Sequence, residues 1–286
     1  MAHVPLELVR RSAAYLAGKG VSTPRLDAEV LLAHVLGVPR IQLYLQFDKP
    51  LAAPEVDAYR EAVRRRARRE PVAHITGFRE FWSLPFAVDE RVLVPRPETE
   101  ALVEAALARM GGAGRLADLG TGSGAVAVAL LVERPGWTGV GVDVSAGALE
   151  VAAANAARHG VADRVELRRG DLFAPLAGSE GSFGAVVSNP PYIPTGQVDG
   201  LEPEVARFDP RLALDGGSDG LDVIRRIAAE ARRFLAPGGF AAVEFGAGQG
   251  EDVARIFREA GGYAKVTLIP DLAGRPRVAV AGRRDR

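Results

Sequence analysis

From residue 115 onward, short apolar runs alternate with helix-periodic segments, and that alternation restricts the fold more than any other feature. The runs cover 115–119, 139–143, 164–168, 183–188, 239–245, 265–269 and 277–281. Between them, 125–132, 146–159, 221–235 and 250–260 repeat apolar residues at helical spacing. Strand and helix in alternation predict a parallel α/β sheet wound on both faces, here with seven strands in one domain. There is no internal repeat and no low-complexity linker.

The first strand-to-helix turn reads Asp118-Leu119-Gly120-Thr121-Gly122-Ser123-Gly124. Glycines there permit positive φ and close approach of a ligand, while the helix start offers unpaired N–H groups. The spacing is GxGxG rather than the dinucleotide GxGxxG, and an acid precedes it. Asp118 would oppose a pyrophosphate but favour a cationic amino-acid ligand. S-adenosylmethionine, with its ammonium and sulfonium, has that polarity. Asp143 ends the second strand, where a carboxylate accepts ribose hydroxyls. After the third strand, Asp171 is placed to accept an exocyclic amine, with Leu172 and Phe173 against the adenine ring.

The fourth strand ends in Asn189-Pro190-Pro191-Tyr192. Two prolines stop the ladder and stiffen the exit. The Asn189 amide oxygen, the Pro190 carbonyl and the Tyr192 ring suit a planar NH2 group, which is either an amide or a nucleobase amine.

The N-terminal part differs. Residues 1–70 read as helices, the last ending in Arg64, Arg65, Arg66, Arg68 and Arg69, either a solvated helix end or a surface for an anionic partner such as RNA. Residues 1–75 carry twelve Arg and Lys against eight Asp and Glu, while the remainder holds 24 against 28. Apolar residues between 77 and 94, around Pro85 and Asp89-Glu90, suggest a β-hairpin. The expected domains are a helical unit over 1–75, a hairpin linker over 76–95 and the sheet domain over 96–286. No cysteine is present, which excludes disulfides and thiolate chemistry, and no metal is expected. Residues 1–7 lack a signal-peptide pattern and no apolar stretch reaches membrane length, so a cytoplasmic location is expected. The histidines His3, His34, His74 and His159 are scattered and receive no catalytic role.

With DLGTGSG, Asp143 and NPPY in order, the chain resembles class I S-adenosylmethionine-dependent methyltransferases that act on amino groups. One branch is especially similar, the bacterial peptide chain release factor glutamine N5-methyltransferases. Residues 71–77 with Phe81-Trp82, Arg96-Pro97-Glu98-Thr99-Glu100, 187–193, 213–221 and 271–277 all match that family's elements. One departure is Asp209-Pro210, where the family usually has Glu-Pro. The resemblance implies a Rossmann-like methyltransferase sheet with helices on both faces, behind a small helical domain that recognises the substrate. It implies a cofactor site of Asp118, Gly120, Thr121, Gly122, Ser123, Gly124, Asp143, Asp171, Leu172 and Asn189, with S-adenosylhomocysteine as product. The catalytic residues would be Asn189, Pro190 and Tyr192, and the glutamine of a release factor GGQ motif would enter between Glu98, Asn189, Pro191 and Tyr192. A monomer needing no nucleic acid is expected. The competing readings are a ribosomal-protein glutamine methyltransferase, an amino-methyltransferase acting on adenine in nucleic acid, and an idle RNA-binding module.

Overall fold

The computed structural model describes residues 4–46 and 48–284, so His3 lies outside it. The chain divides into two units, residues 1–78 with 202–208, and residues 79–201 with 209–286.

The helical unit contains α1 (Pro5–Ala17), α2 (Pro24–Leu36), α3 (Gln42–Leu45), α4 (Ala53–Ala67) and α5 (Val72–Thr76). Proline opens α1 and α2, where a missing N–H costs nothing. Leu16, Leu31, Leu32, Leu43 and Tyr59 fill its core. Each arginine at the end of α4 and just beyond it has a carboxylate partner within the unit. Arg64 and Arg68 pair with Glu61, Arg65 with Glu70, Arg66 with Asp27 at 2.6 Å, and Arg69 with Glu204.

A two-stranded hairpin follows, β1 (Phe78–Phe81) and β2 (Leu84–Ala87), all but Phe78 belonging to the second unit. It occupies only residues 78–87 of the 77–94 stretch, and its turn falls at Trp82-Ser83. Both turn residues take positive φ, 52° and 56°, the geometry of a primed hairpin turn. Hydrogen bonds from Trp82 N to Glu100 (2.9 Å) and from Trp82 Nε1 to Glu133 (2.8 Å) hold a residue type that rarely adopts it. After the 3-10 turn Pro97–Thr99 comes α6 (Glu100–Leu107).

The main sheet follows in sequence. It comprises β3 (Gly114–Leu119), β4 (Trp137–Asp143), β5 (Val165–Arg169), β6 (Phe183–Ser188), β7 (Leu235–Glu244), β8 (Tyr263–Pro270) and β9 (Pro276–Arg283). Interleaved are α7 (Ala125–Glu133), α8 (Ala146–Arg158), the short α9 (Pro203–Ala206, packed in the helical unit), α10 (Asp222–Phe234) and α11 (Gly250–Ala260). Spatial order is β5-β4-β3-β6-β7-β9-β8, with separate apolar cores on the two faces.

One sequence expectation needs correction, because the sheet is not wholly parallel. β9 inserts between β7 and β8 and runs antiparallel to both. Only residues 271–275 separate β8 from β9, too few for the crossover that a parallel neighbour requires.

Candidate functional site

β3 and β6 are neighbours, with Leu119 level with Ser188, and the strand order reverses direction between them. Ligands of open α/β sheets bind at the carboxyl ends of strands at such a switch point. The glycine loop leaves β3 there and Asn189 leaves β6 beside it. Ser188 Oγ donates to the Leu119 carbonyl at 2.6 Å, tying the two exits together.

Gly120, Gly122 and Gly124 all have positive φ, 70°, 55° and 78°. A Cβ on Gly120 would meet nothing within 4 Å, and Gly120 and Gly122 line a cavity of about 300 Å³. Asp143, Asp171, Leu172, Asn189 and Pro191 line the same cavity. The Asp143 carboxylate accepts from Gly122 N and Ser145 N, both at 2.9 Å, so it is held at the rim by loop and helix start. Leu172 at the cavity wall is buried and has a positive φ of 47°. Open glycine backbone, two carboxylates and apolar Leu172 and Ala148 fit a nucleoside joined to a cationic amino acid.

Asp118 has a further task that the spacing does not reveal. It is 1% exposed and accepts from Thr121 Oγ1 (2.7 Å) and Ala127 N (3.2 Å), stapling the loop to α7. Burial pushes its carboxyl up to about 6 despite those two bonds. Asp118, Thr121, Ser123 and Asn189 line a smaller recess with Arg96 and Thr99. Asp171 accepts from Arg226 on α10 at 2.6 Å. Phe173, expected against an adenine ring, is instead in the core, stacked on Phe234 at 4.8 Å between centroids. Stacking the ring on Phe234 of α10 within that core outweighs leaving it at a cavity wall.

Around NPPY the structure adds residues that no local pattern predicts. Asn189 Nδ2 donates to Thr99 Oγ1 at 3.1 Å. Gln249 Nε2 donates to the Tyr192 carbonyl at 2.9 Å. Residues 214–217 pair back on the exit strand, with Ile193 N bonding Leu214 O and Gly216 N bonding Ile193 O. Tyr192 is half-buried, and its hydroxyl lies 3.5 Å from Glu244 Oε1 at the end of β7. Burial raises the Tyr192 pKa, so its hydroxyl stays protonated. Glu98 lines a separate groove with Trp82, Glu100, Glu104 and Leu272, yet its charge acts on both Tyr192 and Glu244. The Asp209 of the unusual Asp-Pro is buried, pairs with Arg96 and accepts from Val94 N, so the shorter acid still anchors the PRPETE element.

Fold and loop together define a class I S-adenosylmethionine-dependent methyltransferase. The catalytic domain of human Mettl16 in complex with an RNA hairpin shares the fold, at a TM-score of 0.59 and 16% identity, over 77% of this chain and 82% of that one. Family models for the PrmC N-terminal domain and the methyltransferase small domain match residues 7–77 and 97–201. Release factor glutamine methyltransferases from Rhodospirillum rubrum (47% identical, 97% of this chain, 84% of that one) and Geobacter sulfurreducens (49%, 86% of each) are similar along their length. That from Moorella thermoacetica is 44% identical over 98% and 97%. This chain belongs to the release factor glutamine methyltransferase family.

Proposed function

We propose that this chain transfers a methyl group from S-adenosylmethionine to the side-chain nitrogen (N5) of the GGQ glutamine in peptide chain release factors. The observation that carries the reading is the adjacency of the glycine loop and Asn189-Pro190-Pro191-Tyr192 at the ends of neighbouring strands. Gly120, Gly122, Asp143, Asp171 and Leu172 would hold the methyl donor. When bound, it supplies a methyl group made electrophilic by a sulfonium.

The residues of this chain do the rest by positioning. An amide nitrogen is a weak nucleophile because its lone pair is shared with the carbonyl. Asn189 Oδ1 and the Pro190 carbonyl accept its two hydrogens, fix its direction and favour a pyramidal nitrogen. The Tyr192 ring stacks on the amide plane. No base is required beforehand, since the nitrogen becomes acidic only after methylation. Release factor protein alone is the partner in this reading, and ion-pairing of Arg64, Arg65, Arg66, Arg68 and Arg69 supports a role that does not rest on nucleic acid. Among the described residues no helix is long and apolar enough to cross a membrane, and the reading places the chain with its partner in the cytoplasm as a monomer.

The test is transfer of tritiated methyl groups to purified release factor, to its GGQ glutamine-to-alanine variant, to ribosomal protein and to DNA. Label should enter only intact release factor. Asn189→Ala should abolish it while keeping cofactor affinity within several-fold by calorimetry. Labelled DNA, or affinity lost in step with turnover, would overturn the assignment.

A further inference from the structure

The geometry points to Gln249 as a positioning residue that fixes Tyr192, and with it the aromatic face against which the substrate amide lies. The kinetic consequence rests on the glutamine-methylating reading, whereas the contacts stand without it.

Gln249 occupies the N-cap of α11, where a short polar side chain ordinarily accepts from N–H groups of its own helix. The Gln249 side chain makes no such bond. It reaches back instead. β6 and β7 are neighbours, with Ser188 level with Val243, so the segments that leave them, 189–192 and 245–249, emerge side by side. Gln249 joins the two. Its Nε2 donates to the Tyr192 carbonyl at 2.9 Å, and its Oε1 accepts from Gly246 N at 2.8 Å. A carbonyl only accepts and an N–H only donates, so one orientation of the amide satisfies both partners and the reverse satisfies neither.

The Tyr192 ring is held as well as its backbone. A Cβ on Gly246 would lie 3.2 Å from Tyr192 Cδ2, so the ring edge rests against a bare α-carbon. A Cβ on Gly220 would lie 2.9 Å from Gln249 Nε2, so that glycine closes over the bond. Pro190 and Pro191 have no N–H, which leaves the loop few backbone bonds with which to hold its own place. Among the described residues no other side chain hydrogen-bonds the Tyr192 backbone. Neither Gln249 nor Tyr192 lines the cofactor cavity, so this clamp acts on the acceptor side of the site. A ring moved by about an ångström no longer lies flat on the amide, and a displacement of that order slows a reaction that depends on positioning.

The full-length protein is assayed at pH 8 as wild type, Gln249→Met and Gln249→Glu. Methionine keeps the bulk and loses both bonds. Glutamate keeps the acceptor for Gly246 N but sets a carboxylate against the Tyr192 carbonyl. Both variants should lower kcat for release factor roughly tenfold or more, with KM and cofactor affinity unchanged. Tyr192-Ile193 is the one Tyr-Ile step in the sequence. Protein labelled with carbonyl-13C tyrosine and 15N isoleucine therefore gives a single carbonyl-to-amide NMR correlation, which reports the accepting carbon independently of any substrate. That resonance should move upfield in both variants. Wild-type kcat in either variant, a loss confined to KM, cofactor affinity lost in step with kcat, or an unmoved Tyr192 resonance would each overturn the proposal. If wild type does not methylate release factor, the substrate reading fails and the resonance alone decides: moved, the clamp on Tyr192 stands; unmoved, it falls.

Discussion

Glu244 illustrates how far burial moves a single group. Its carboxyl is pushed up from 4.5 to about 7 because almost no water reaches it, and neither Thr99 nor Arg277 fully offsets that. Between those two values the folded state keeps a proton that the unfolded chain has released. Stability attributable to this group therefore falls as pH rises from about 4.5 to about 7, and stays low above that. Glu244→Gln removes the titration. We expect urea unfolding to find the variant more stable than wild type at pH 8, by up to about 3 kcal/mol, with the gain fading toward pH 4. A variant less stable than wild type at pH 8 would mean that the ionised carboxyl is well compensated. The importance of Glu244 was illegible in the sequence, where it is one glutamate ending an apolar run. Asn189 and Tyr192 were legible, because a strand that stops at Asn-Pro-Pro-Tyr presents acceptors and a ring whatever surrounds it.

Elements were read mostly by period. All seven strands of the main sheet and the four helices between them lie where apolar spacing put them, within a few residues. What period cannot report is direction, and β9 reverses because the turn before it is short. The segment after NPPY shows another limit. Gly220 has φ of 79°, and a Cβ there would lie 2.2 Å from the Tyr192 carbonyl and 2.9 Å from Gln249 Nε2. The element therefore packs backbone against backbone on the exit of the catalytic loop. Gly220→Ala must push Tyr192 aside as well as strain its own backbone, costing about 1–3 kcal/mol. We expect turnover to fall at least roughly tenfold while cofactor affinity holds, since a small displacement of a positioning group is enough. Wild-type turnover in that variant would show the loop to be tolerant of it.

For the molecule as a whole, the helical unit closes around a buried charge. Arg66 and Asp27 have side chains 5% and 8% exposed, and Glu204 completes the cluster from 138 positions along the chain. Removing one partner of such a pair leaves an uncompensated ion. Asp27→Ala should destabilise the unit by about 3–5 kcal/mol in denaturant unfolding, far more than an exposed pair would. A loss under about 1 kcal/mol would mean that Glu204 suffices for Arg66. Read as a run of like charges, the arginines offered a surface for an anionic partner as one option. Their carboxylate partners are spread from Asp27 to Glu204, and no local window contains them all.

The sequence by itself determined the α/β alternation, the glycine loop, the NPPY exit and the family, because period, turn chemistry and motif order are local properties of the chain. Only the tertiary structure decided that β9 runs backward, that Phe173 leaves the cavity for the core and that the arginines at the end of α4 find carboxylate partners. It also brought Thr99, Glu244 and Gln249 to the residues they hold. Each of those outcomes depends on burial or on a partner distant in sequence, and neither is set until the chain has folded.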